Sequence, residues 1–286
     1  MPKTARSTVS FTAAPVAPAQ KRPPRMELLA AMLAGTQRAG VPIRRAFLQT
    51  VDYGPDGTRA ASLSHLLRSP GALDAYLLIA ALASSSEPYA AKYPAATWAQ
   101  IAGLLEAAEL PAGKAHWSRV VSKLVDEKLV ARQRIGNDMN YVLLHESGDG
   151  LPYTRPTAAV HGNWFSVPHA YWLEGYDQEM SLPEKVMLLI ALDRTDGFVM
   201  PSNRVARWYG VSEKTAERGF HGLIDRGILG VTSEQAIEPK SPTGWKTVLS
   251  YTTLGQWSIE SRNKAMKAGN RRKPKFTSPP APKEEA

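Results

Sequence analysis

The sequence contains no cysteine, which excludes a disulfide framework and any zinc site built on thiolates. Its six histidines show no His-Glu-x-x-His or other metal-ligand spacing. No glycine-rich loop ends in Lys-Ser/Thr to cradle a phosphate, and no Gly-x-Ser-x-Gly elbow is present. The acid pairs Asp193/Asp196 and Asp126/Glu127 fall at expected helix ends, where carboxylates are usually solvated, and no one of the ten tyrosines stands out as a nucleophile. These absences give the expectation of a non-catalytic protein without cofactor or metal. Long apolar runs are also missing. The longest, residues 72–83, is interrupted by Asp74 and falls short of the ~20 residues a bilayer span needs. The basic N-terminus has no apolar stretch behind it, so it does not read as a secretory signal. The expectation is a cytoplasmic, nucleoid-associated protein with no membrane partner.

What is present is positive charge, in excess by +9. Residues 1–25 hold five basic residues and no acid, and residues 258–286 hold eight basic and three acidic ones. Together the two ends contribute +10, leaving the 232 residues between them at −1. The cationic character therefore sits in the tails, and the central body is close to neutral. Both tails are rich in Pro, Ala and Lys/Arg and read as disordered basic segments, 1–25 and 258–286.

Between them the chain reads as a helical segment, 26–70, two similar units, 71–150 and 181–257, and a connecting strap, 151–180. In the first unit "GALDAYLLIAALAS" has the pattern of a helix. A second helix begins at Thr97 with Gln100 three residues on, a capping-box spacing. "PAGKAHWSRVVSKLVDE" is a third, followed by strands "KLVARQRI" and "MNYVLLHE" about Gly136-Asn137-Asp138. The second unit repeats the order. Ser181 and Glu184 form another capping box, Phe198–Met200 is a short apolar run, and a helix starts near Pro201-Ser202. The third helix follows Gly210-Val211-Ser212, and "ILGVT" and "KTVLSYTT" are hairpin strands. "LLIA" recurs at 77–80 and 188–191, and "KLVDEKLV" at 123–130 matches "GLIDRGIL" at 222–229. Three helices followed by a hairpin, twice, predicts a mainly α fold with small β-hairpin wings (α+β): two winged helix-turn-helix units. The aromatic strap between them carries Trp164, Phe165, Tyr171 and Trp172, with His161 and His169 alongside.

The third helices hold the candidate contacts. A helix advances ~100° per residue, so Ala216, Gly219, Phe220, Leu223 and Ile224 share one face. Lys214, Arg218 and His221 lie opposite, with Thr215 in the first turn. In the first unit Trp117, Val120, Val121 and Leu124 form the buried stripe, while Arg119, Ser122 and Lys123 point away. Arginine can pair with guanine edges, and Ser, Thr, His and Lys can reach bases or phosphates. Arg132 and Arg134 lie on the first hairpin, where a wing can grip backbone. Arg271, Arg272 and Lys273 in the C-terminal tail are candidate phosphate contacts. The compact helix-turn-helix favours the second unit as the principal reader, with the first reading DNA or mediating dimerisation.

The stretches "FSVPHAYWLEGY", "LPEKVMLLIAL", "WYGVSEKTAERGFHGL", "TWAQIAGL" and "GDGLPYTRP" resemble a poorly characterised group of actinobacterial winged-helix proteins. The resemblance spans about 71–257 and implies the winged-helix fold. In architecture alone, two such units in tandem are also similar to plasmid replication initiators. The expected activity is binding of double-stranded DNA as a transcriptional regulator, with a homodimer possible. The alternatives are an initiator or maintenance protein of a plasmid or mobile element, and a protein-docking scaffold.

Overall fold

Helices alternate with short strands along the chain, and the described residues form three small antiparallel sheets. The computed structural model describes residues 22–36, 38–69, 71–105, 109–156 and 163–271. Most of the expected N-terminal tail, part of the strap and residues 272–286 lie outside them. The described residues open with α1 (Arg25–Gly35), β1 (Gly40–Arg44), a 3-10 turn and α2 (Ser62–Leu66). The first unit follows as α3 (Ala72–Leu82), β2 (Ala90–Pro94), α4 (Ala95–Ile101), α5 (Leu110–Asp126), β3 (Val130–Ile135) and β4 (Asp138–Leu143). Next come β5 (Trp164–Pro168), α6 (Ala170–Leu173) and α7 (Tyr176–Glu179). The second unit is α8 (Leu182–Leu192), β6 (Phe198–Val199), α9 (Ser202–Tyr209), α10 (Glu213–Asp225), β7 (Leu229–Ile237) and β8 (Trp245–Thr253). A further 3-10 turn and α11 (Ile259–Arg271) end the described chain.

The two units share one order, helix–strand–helix–helix–strand–strand, and one sheet arrangement, β2-β4-β3 and β6-β8-β7. The fold is thus a mixture of helix and strand rather than mainly helical. The sequence reading has hairpins only. Each gains a third strand, because the stretch after the first helix turns back and pairs with the last strand. The strap is more than a packed connection. β5 pairs antiparallel with β1, from Gly40↔Pro168 to Arg44↔Trp164, so the segment before the first unit and the one after it close on each other.

Local chemistry sets most boundaries. Ser181 and Glu184 form the expected capping box, with proline in the first turn of α8. Gly210 takes φ +66° and Ser212 caps α10 by accepting from the Thr215 amide at 3.2 Å. The Thr97/Gln100 capping box does not form. Pro94 ends β2 and α4 starts at once, while Gln100 is drawn to the N-terminal segment, donating to the Pro23 carbonyl and accepting from Arg22. α5 begins at Leu110, one residue ahead of the expected stretch, with Pro111 in its first turn.

Both ends of the body are ordered further than composition implies. Arg25, assigned to the disordered tail, is buried and paired with Asp177. Residues 259–271, also assigned to a disordered tail, form α11. Buried Arg262 holds it by donating to the Leu192 carbonyl at 3.1 Å and the Trp257 carbonyl at 2.9 Å. A polar helix docks here through one guanidinium that satisfies carbonyls of the body, a signal hydropathy does not carry.

The buried apolar side chains form one continuous cluster through both units. Ion pairs cross it, among them Lys185–Asp74 at 2.8 Å between α8 and α3 and Arg45–Asp193 at 2.9 Å. Among the described residues no helix is long and apolar enough to cross a membrane.

Candidate nucleic-acid interface

Each third helix is fixed from beneath by stacked rings. In the first unit Trp117 of α5 stacks on Trp98 of α4 at 5.2 Å and donates its indole N–H to the Tyr141 hydroxyl of β4 at 2.9 Å. In the second, Phe220 of α10 stacks on Tyr251 of β8 at 4.4 Å. Gly219 allows α10 to lie close on α8, since a Cβ there would sit 2.4 Å from both Met187 Cγ and the Pro183 carbonyl oxygen. The buried faces are those the helical spacing predicts: Trp117, Val120, Val121 and Leu124, and Ala216, Gly219, Phe220 and Leu223, with Ile224 half-buried.

The units superpose in register as well as in order. Tyr141 pairs with Ala91 on one side and Arg132 on the other, and Tyr251 pairs with Phe198 and Val231. Arg132 and Val231 therefore occupy the same place on the two hairpins. The match of 123–130 with 222–229 carries the comparison back along the helices. It pairs Arg119 with Arg218, Ser122 with His221, Ser118 with Glu217 and Lys114 with Glu213.

These pairings separate the units chemically. On α5 the outward face presents Ser118, Arg119 and Ser122, flanked by Lys114 and His116, and its acids gather at the far end as Asp126 and Glu127. Arg132 reaches from β3 to this face, with Nη1 at 3.3 Å from the Ser122 hydroxyl and 3.4 Å from the Ser118 carbonyl and hydroxyl. Arg134 stands further along the same strand and donates to the Gly136 carbonyl at 3.1 Å. Helix and hairpin thus make one surface with Arg119, Arg132, Arg134 and Lys114 exposed. On α10 the exposed cations Lys214 and Arg218 alternate with Glu213 and Glu217, and Asp225 lies beyond His221. Thr215 is half-buried and its hydroxyl lies 2.8 Å from that of Ser212.

On α5 and β3 the cations Lys114, Arg119, Arg132 and Arg134 share one exposed surface, whereas on α10 cations and carboxylates alternate. Lys123 is less available than its position implies. It pairs with Glu127, which also holds His65 at 2.8 Å. Arg271 ends α11 with its side chain outside the described residues, and Arg272 and Lys273 lie outside them entirely.

No family model, curated protein or solved structure matches this chain. Its own geometry is what bears on function.

The sequence reading missed a feature of the second hairpin. β7 and β8 are each nine residues long, and one of their faces carries Val231, Leu249, Ile237 and Trp245, all exposed. With Val199, these residues line or extend an open groove of about 710 Å³ between α10 and β8. No period-two alternation in "VTSEQAI" or "WKTVLSY" announces it, because Ser233, Gln235 and Thr247 share the face with the apolar residues. Among the described residues no three His, Asp or Glu side chains gather as metal ligands.

Proposed function

We propose that the two units are tandem winged helix-turn-helix modules and that the protein binds double-stranded DNA without catalysis, as a transcriptional regulator. The observation that carries this reading is the joined cationic surface of α5 and β3. A helix propped outward by Trp117 presents Arg119 and Ser122, and Arg132 reaches to it from the adjacent hairpin. A helix of this width fits the major groove while the neighbouring strands meet backbone or minor groove. Arg119 is assigned to base edges. Arg132, Arg134 and Lys114 are assigned to phosphates, where each neutralised phosphate adds about 0.9 to the salt slope. Lys214, Thr215, Arg218 and His221 become secondary contacts, because exposed Glu217 stands among them and repels a duplex. The test is titration of the full chain with duplex DNA at several salt concentrations, comparing Arg119→Ala and Arg132→Ala with Arg218→Ala. Sites at promoters fit a regulator, and clustered direct repeats at an origin would assign the same chemistry to replication initiation.

The apolar hairpin supports a second reading, in which the second unit docks protein, with another copy of this chain as the occupant. The hairpin end offers Ile237 and Trp245 beside Lys240, and the groove along α10 offers Phe220, Leu249 and Val199 beside Glu217, with Lys246 on its strand wall. Each surface complements the other, which is what a two-fold interface requires. The solution mass of the wild type and of Trp245→Asp decides it. A dimer lost in the variant supports self-docking, and a monomeric wild type contradicts it.

A further inference from the structure

Three arginines surround one tyrosine at the edge of the first unit. Arg44 lies over the Tyr153 ring at 5.3 Å, Tyr153 meets Tyr89 edge-on at 5.2 Å, and Arg155 lies over Tyr89 at 5.4 Å. Arg38 completes the group, close enough to Arg155 for the two cations to repel each other. The cluster holds one carboxylate, that of Glu146, and it is engaged by Arg44: the Arg44 amide donates to Oε1 at 3.2 Å and Nη1 to Oε2 at 2.6 Å. Among the described residues Arg38 and Arg155 have no acid partner. The neighbouring stretch 156–163 contains no acid in its sequence.

Each of these two guanidiniums uses one nitrogen on the C-terminal end of α3. Arg38 Nη2 donates to the Ala81 and Ala83 carbonyls at 2.8 Å, and Arg155 Nη2 donates to that of Ser84 at 2.6 Å. Helix capping accounts for those bonds. It leaves Nε and Nη1 of both residues buried with no hydrogen-bond partner, together with Nε2 of the buried His169. Burial, and then the Arg155 charge, lower the Arg38 guanidinium to about 10. Burial, and then Arg38, lower His169 to about 4. Donors on a cation left buried and unbonded are costly, and two like charges held together without an anion add to that cost.

We propose that Arg38 and Arg155, with His169 beside them, bind the phosphoryl group of a small phosphate-bearing ligand. The surplus of two positive charges matches a phosphoryl dianion, and its oxygens supply acceptors for the four unbonded arginine nitrogens. A carboxylate brings half the charge. The unbonded nitrogens are buried and Arg38 and Arg155 are only partly exposed as residues, so the ligand proposed is a small molecule and not the backbone of a duplex. This site is separate from the α5–β3 surface and does not depend on the DNA-binding reading.

The experiment is thermal unfolding and isothermal titration of the full chain with inorganic phosphate at neutral pH and fixed ionic strength, against acetate and chloride. The expected result is a saturable rise in melting temperature with phosphate alone. In Arg38→Gln and Arg155→Gln the affinity falls about tenfold or more, the loss that one charge-assisted contact represents. Both variants relieve a repulsion, and circular dichroism is the check that they fold. Phosphorus NMR line-broadening on the wild type provides a reading that needs no variant. Arg119→Ala/Arg132→Ala keeps the full phosphate response, which separates this site from the proposed duplex face. The proposal is overturned if the wild type shows no response, if acetate matches phosphate, or if the glutamine variants respond like the wild type.

Discussion

Arg132 Nη1 lies 3.3 Å from the Ser122 hydroxyl and joins the edge of the first unit's sheet to the outward face of its third helix. The equivalent position on the second hairpin is Val231, which is exposed and apolar. One register position thus carries a cation in one unit and a hydrophobic side chain in the other. That difference divides the proposed labour, with duplex contact in the first unit and protein contact in the second.

Arg119→Ala is expected to weaken binding to a preferred duplex by about 1–3 kcal/mol and to relax base preference at one position. Arg132→Ala is expected to weaken all duplexes alike and to lower the salt slope by about 0.9. Fluorescence anisotropy with matched and scrambled duplexes separates the two. Base-dependent loss in Arg132→Ala and uniform loss in Arg119→Ala would exchange the assignments.

Gly219→Ala is expected to destabilise the protein by about 1–3 kcal/mol, because the new methyl meets Met187 and the Pro183 carbonyl of α8 at 2.4 Å. Denaturant unfolding measures the loss. Unchanged stability would mean that α10 and α8 are not held in this close packing.

Glu146 is fully buried, and its carboxylate faces Arg44. Glu146→Gln leaves that guanidinium without its anion and is expected to cost about 3–5 kcal/mol, the range for breaking one partner of a buried pair. Denaturant titration of the variant checks it, with Lys92→Ala as a surface control. A loss comparable to the control contradicts the burial assigned to this pair.

His169 gives a pH dependence with a definite sign. Its folded value of about 4 lies below the ordinary 6.5, so between these values the unfolded chain binds the proton and the folded one does not. Stability is unaffected by this residue above pH 6.5 and falls as pH drops toward 4, at a limiting slope of about 1.4 kcal/mol per unit. Unfolding free energies measured between pH 7 and pH 4.5 are expected to fall less steeply in His169→Gln than in the wild type. Parallel curves would remove the assignment.

Much of the fold was legible because periodicity and caps are local. Ser181, Glu184, Gly210 and Ser212 mark their helix ends correctly, and the buried faces of α5 and α10 follow from spacing. What was not legible depends on distant partners. β2 and β6 are strands only because β4 and β8 accept them. β5 needs β1, well over a hundred residues earlier. Gln100 left its expected cap for Pro23, and α11 is ordered by the Arg262 contact with the Leu192 carbonyl. The outward faces of α5 and α10 could be read one helix at a time. The difference between them could not, since it requires the hairpin register that places Arg132 beside α5 and Val231 at the equivalent position of the second unit.

Duplex binding by the first unit is decided by selecting duplexes from a random pool with the full chain and titrating the selected sequence with the wild type, Arg119→Ala/Arg132→Ala and Lys214→Ala/Arg218→Ala. The expected result is salt-dependent binding that the first double variant largely removes and the second reduces only modestly. It is contradicted if the wild type selects and binds no duplex at low salt, or if the Arg119/Arg132 variant binds with wild-type affinity and salt slope.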